Sequence, residues 1–122
     1  MSDNRNKLPI AVETVSGGEA SRRTGAVITS LAGISSGSIS VGSATRFRLQ
    51  ANLRSSGPDT LVLVSYSSPV TLANTEYALA DRSEVKESVP PDLTLHFALI
   101  DATTLVPASG GPNDYLILTR YE

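Results

Sequence analysis

Cysteine and tryptophan are absent from this 122-residue chain, and there is one histidine and one methionine. Without cysteine there is no disulfide framework and no thiolate nucleophile, so the redox compartment stays open. A single histidine with no cysteine supplies no set of zinc ligands. No apolar run approaches the roughly 18–20 residues of a membrane-spanning helix. The N-terminal MSDNRNKLP is polar and lacks the apolar core of a secretory signal. No membrane partner is therefore expected. The chain has no phosphate-binding loop and no dinucleotide-binding glycine fingerprint after a strand. Aromatic residues are only 5% of the chain, so aliphatic side chains must build the core. Charged residues are 18%, below the usual quarter.

What is present is mostly hydroxyl and aliphatic. Ser and Thr fill 28 positions, and 40% of residues are hydrophobic. That balance suits a β-rich protein or one whose surface is partly covered by partners. The net charge of −2 hides an asymmetry. Residues 1–54 sum to +4 and residues 55–122 to −6. If the halves fold apart, opposed surfaces would steer assembly; if they interleave, the effect vanishes.

The clearest local pattern is Thr45–Arg54, TRFRLQANLR. Phe47, Leu49, Ala51 and Leu53 share one parity; Arg46, Arg48, Gln50, Asn52 and Arg54 share the other. A period of two predicts a strand with one buried and one wet face. Ser55–Asp59, SSGPD, carries turn residues, and Thr60–Tyr66 runs on as an apolar strand. These two runs are expected to pair as a hairpin. Residues 60–66 are apolar on both parities, which predicts cover on both faces; for Leu61–Val64 and likewise Leu116–Leu118 the second face is expected to be buried between subunits, or else under loops or the N-terminal arm.

Elsewhere, Ala26–Leu31 is a short apolar run, and Gly33–Ser43 reads as turn, strand, turn. Val70–Ala80 fits either a strand or one helical turn capped by Asn74. Asp81–Asp92 reads as a charged loop closed by two prolines. Leu93–Asp101 and Asp114–Tyr121 read as strands, and Val106–Asn113 as a turn-rich loop. Residues 1–24 read as an extended arm. Within it Leu8–Val15 could pair as a strand that Pro9 confines to an edge, and Ser16–Gly25 is a polar connector. No segment carries an apolar helical stripe over three turns. The expected fold is all-β: an antiparallel sandwich or barrel of about seven or eight short strands over residues 25–122, preceded by the arm.

Catalytic patterns are thin. Gly33-Ile34-Ser35-Ser36-Gly37 matches the G-x-S-x-G of hydrolase nucleophile elbows, but no helix follows, so a glycine-punctuated turn is the better reading. His96 stands among Thr94, Ala98 and Ile100, which are not the partners of a triad. Glu84, Glu87 and Asp92 mix with Arg82 and Lys86, the mark of a solvated loop; calcium binding or contact with a basic partner are the other options. No enzyme activity, cofactor or metal is expected. Arg46, Arg48 and Arg54 could meet nucleic-acid phosphate, yet no aromatic residue is expected on their face for base stacking. An acidic protein surface is the favoured partner for the arginine row. Tyr115 and Tyr121 are good interface residues. In the arm, Leu8, Ile10 and Val12 with Arg22 and Arg23 complete the expected interaction set. A carbohydrate-binding sandwich is an alternative, weakened by the shortage of aromatic platforms.

The polar arm at Met1–Gly25, the Ser/Thr/Gly-rich aliphatic body and the short strands ending in Asp114–Glu122 together resemble small all-β virion proteins of tailed bacteriophages, of the capsid decoration or cement type. The resemblance lies in the profile of the whole chain and carries no residue-level motif. It implies a non-enzymatic protein of the virion, a homo-oligomer with a trimer favoured, bound to capsid protein or other virion subunits.

Overall fold

The computed structural model describes residues 23–122. Eight strands follow one another: β1 (Arg23–Ser30), β2 (Ser36–Ser40), β3 (Arg46–Leu53), β4 (Thr60–Ser65), β5 (Tyr77–Leu79), β6 (Glu84–Ser88), β7 (Thr94–Asp101) and β8 (Asp114–Tyr121). They form two four-stranded antiparallel sheets, ordered β1-β8-β3-β6 and β2-β7-β4-β5. The chain is an all-β sandwich, as the alternation predicts. Its first described residue, Arg23, already belongs to β1, so the last three residues of the expected connector Ser16–Gly25 are strand. The arm residues Leu8, Ile10, Val12 and Arg22 lie outside the described residues.

The core lies between the sheets. Phe47, Leu49, Ala51 and Leu53 from β3 meet Leu116 and Leu118 from β8 and Val62, Val64, Leu95, Phe97 and Leu99 from the opposite sheet. Burial alternates perfectly along β3, every second residue being buried. Aliphatic side chains dominate, with two phenylalanines among them.

The expected hairpin between β3 and β4 does not form. β3 pairs with β8 along eight residues and with β6 along five, whereas β4 pairs with β7 and β5 in the other sheet. The SSGPD turn is real: Gly57 adopts φ +59° and Gly57–Asp59 form one 3-10 turn. It carries the chain across the ~10 Å between packed sheets instead of folding it back beside itself. The physical reason is an anchor on β8. Asp114 accepts hydrogen bonds from Ser55 N at 2.7 Å, Ser56 N at 3.2 Å and the Ser56 hydroxyl, all from the crossing turn. Turn residues specify a reversal of the chain; they do not specify whether it ends beside or opposite its predecessor.

Asp81–Asp92 is not the charged loop its composition predicts. Glu84–Ser88 of this segment is strand β6, the edge beside β3, with Lys86 opposite Arg48 and Glu84 opposite Gln50. Val85 packs partly into the core and supplies the apolar contact that the charged composition concealed. Val70–Ala80 resolves into a turn at its start and the short strand β5 at its end. The basic and acidic halves of the chain interleave: the first sheet takes β1 and β3 from one and β6 and β8 from the other. The half-by-half asymmetry is therefore no guide to surface charge.

Candidate interaction surfaces

The first surface is the outer face of the β1-β8-β3-β6 sheet. In an antiparallel pair, directly opposed residues point to the same side. Tyr121 faces Arg46, Thr119 faces Arg48, Ile117 faces Gln50 and Tyr115 faces Asn52. The arginine row of β3 therefore lies beside a Tyr–Ile–Thr–Tyr row of β8. The Arg46 guanidinium carbon lies 5.8 Å from the centre of the Tyr121 ring, within cation–π range. Arg48 Nε is shielded from solvent and has no hydrogen-bond partner among the described residues. Ile28 of β1 faces Ile117 and is 70% exposed.

Arg46, Arg48, Tyr115 and Tyr121, singled out from the sequence, thus share one face. Arg54 lies just beyond β3, lining one hollow with Tyr115 and another with Arg82. Arg23 opposes Tyr121 in the backbone register at the edge of the sheet. Ile28, Ile117 and Lys86 were missed in the sequence reading, although the parity of β1 and β8 was a usable signal for the first two. The objection that the arginine row lacks aromatic neighbours holds along β3 and fails across the sheet, because β8 supplies them from more than sixty residues away.

The second surface was not anticipated. On the outer face of the β2-β7-β4-β5 sheet lies a groove of about 670 Å³. Leu63, Ala98 and Ile100 form its floor, with Leu63 and Ile100 only 5% and 7% exposed. Pro69, Val70 and Leu72 form one wall; Leu105 and Pro107 form the other. These walls are the cover that the doubly apolar β4 required, and they come from this chain's own loops. Leu105 holds φ +65° at the tip of its loop. Asp101 steadies that loop by accepting Thr103 N and Thr104 N at 2.9 and 2.8 Å, bonds that hold its carboxyl below the usual range. His96 sits opposite Ser38 and lines the groove with it and Ser36, so the groove has a polar end. No acid faces His96 across β2 or β4, whose opposing residues are Ser38 and Ser65. Gly33 of the G-x-S-x-G match has φ +69° in a turn that leads into β2, a strand rather than a helix.

Among the described residues no three His, Asp or Glu side chains converge as a metal site. No helix among them is long and apolar enough to cross a membrane. No family model matches the chain, and comparison with curated proteins and with solved structures yields no similar one.

Proposed function

We propose that this protein is a non-enzymatic assembly protein of a virus particle, a capsid decoration (cement) protein or a related virion component. In this reading it docks through the outer face of the β1-β8-β3-β6 sheet. The observation that carries the reading is the gathering of Arg46, Arg48, Tyr115 and Tyr121 on that one face, with the exposed Ile28 beside them. Tyrosine and arginine are the residue types enriched at protein interfaces. An arginine already placed against a tyrosine ring loses less freedom on binding than a free one. Lys86 and Arg82 at the margin of the face lie beside Glu84 at 3.7 Å and Asp81 at 4.0 Å, so the pull toward an acidic protein surface comes mainly from Arg46, Arg48 and Arg54. Of the expected arm 1–24, the residues that precede β1, 1–22, serve as a second attachment, and the protein assembles as a homo-oligomer with a trimer favoured. The virion assignment rests on the compositional resemblance of the whole chain.

Co-sedimentation with purified shells lacking this protein tests the reading. The double variant Arg46→Glu/Arg48→Glu is expected to bind at least about tenfold more weakly, the loss of one good interfacial contact. Unchanged binding refutes this face as the docking surface.

The adjacency of Tyr115 and Tyr121 to the arginines also favours a second reading, contact with single-stranded nucleic acid by stacking and phosphate pairing. Titration with single-stranded RNA and DNA at two salt concentrations decides it. A steep salt slope supports this reading, and no binding at low salt excludes it.

A further inference from the structure

We infer that the groove on the β2-β7-β4-β5 sheet receives the apolar segment Leu8–Val15 of this chain. The groove has an almost fully buried apolar floor, yet its lips stay open to solvent: Leu72 is 61% exposed and Leu105 48%. Large aliphatic lips around an apolar floor are the mark of a surface that is covered in use. The occupant is identified by what the chain holds outside the described residues. Twenty-two residues precede β1. In LPIAVETV, Leu8, Ile10, Val12 and Thr14 fall on one parity, while Pro9, Ala11, Glu13 and Val15 fall on the other. Extended, the segment presents three branched aliphatic side chains to one side and its carboxylate to the other. Pro9 lacks a backbone donor, which suits a segment lying across a sheet face better than one extending a ladder.

Reach is consistent with this occupant. The connector 16–22 spans at most about 25 Å when extended, and Gly17 and Gly18 let it turn. β1 and β2 are the edge strands of their sheets and are joined by the short link 31–35, so both edges lie on one side of the sandwich. Arg23 stands at the far end of β1 from that link, about 23 Å along the strand, and β2 runs part of the way back toward it. The path from Arg23 to the Ser36–Ser38 end of the groove rounds a single edge between sheets about 10 Å apart and uses most of the connector's length. The Arg–Tyr face lies on the other sheet and is untouched by this seating, whereas Leu8–Val15, once seated, leaves only the rest of the arm for attachment to a shell.

The absence of tryptophan and cysteine makes the full chain a clean background for the test. With Leu72→Trp, the introduced indole is expected to emit at short wavelength. Adding Leu8→Asp and Ile10→Asp should shift that emission to the red and raise acrylamide quenching about threefold, as apolar cover is lost. An emission and quenching indifferent to those changes overturns the inference. Should Leu72→Trp disturb folding, Ile10→Cys with Leu105→Cys decides instead. Mild oxidation is expected to link the two positions in most molecules, and the mass of the linked band shows whether the segment comes from the same or a neighbouring copy. No disulfide, under conditions where each thiol alone reacts with a maleimide, overturns it. Neither outcome depends on particle binding, so failure here leaves the docking face to be judged by its own experiment.

Discussion

Asp114 is the residue on which the connection between the two sheets depends. It is 1% exposed, and its carboxylate accepts from Ser55 N, Ser56 N, the Ser56 hydroxyl and Gly111 N. Burial alone would raise its pKa; the four donors outweigh that and hold it below the usual value. An acid stabilised in its charged form contributes stability above the unfolded pKa of about 3.9, and loses it as pH falls through the lower folded value. Asp114→Asn replaces one acceptor oxygen with a donor that faces N–H groups, and should cost about 2–4 kcal/mol in urea denaturation near neutral pH. Its stability should also fall less steeply than that of the parent between about pH 4 and lower values. Tyr77 shows the opposite sign. Burial first, then the hydrogen bond with the Tyr66 hydroxyl, raises its pKa well above the ordinary tyrosine value. Absorbance titration should show one phenol ionising late, a component that Tyr77→Phe removes. The linked stability is full below about pH 10 and declines as pH rises beyond it. Gly110 is fixed by close approach: a Cβ there would lie 2.1 Å from the Leu31 carbonyl oxygen. Gly110→Ala should therefore destabilise by about 3 kcal/mol, since backbone must move. None of these residues was legible in the sequence as a keystone, because each partner set lies far along the chain or in the packing. Asp114 stands 58 and 59 positions from the turn it anchors.

At the scale of the element, strand periodicity was the readable quantity. β3 and β7 appear where alternation placed them, β8 appears over the expected Asp114–Tyr121, and the buried parity of β3 is the expected one. The failures were of pairing and of camouflage. β3 found β8 and β6 instead of its neighbour β4, and β6 was hidden by four polar residues around Val85. Adjacent residues of β8 give a test of face assignment. Leu118 is fully buried in the core, whereas Ile117 lies on the outer face. Leu118→Ala should cost about 3 kcal/mol of folding stability, and Ile117→Ala about 1 kcal/mol or less. Denaturant midpoints of the two variants measure the contrast. Equal losses would show that the outer face is as tightly packed as the core.

For the whole molecule, both outward sheet faces depart from a plain wet surface. One carries the Arg–Tyr rows and the other the apolar groove. With Leu8–Val15 seated in the groove, the Arg–Tyr face is the side left open to a partner; if a neighbouring copy supplies the segment, the groove is itself a contact between subunits. Native mass measurement at micromolar concentration is expected to show a closed oligomer, with a trimer favoured. A monomer at every concentration would remove the homo-oligomer from the proposed function while leaving attachment through the Arg–Tyr face to the shell-binding experiment.

The sequence by itself determined the class of fold, the aliphatic character of the core and the face on which Arg46 and Arg48 stand. Those follow from composition and from a two-residue period, both local properties. Tertiary structure decided which strands are neighbours. That choice brought Tyr115 and Tyr121 to the arginine row, interleaved the basic and acidic halves, and closed loops 66–73 and 102–107 around a groove. Pairing between distant strands depends on how whole faces fit across the sandwich, and no local pattern encodes that fit.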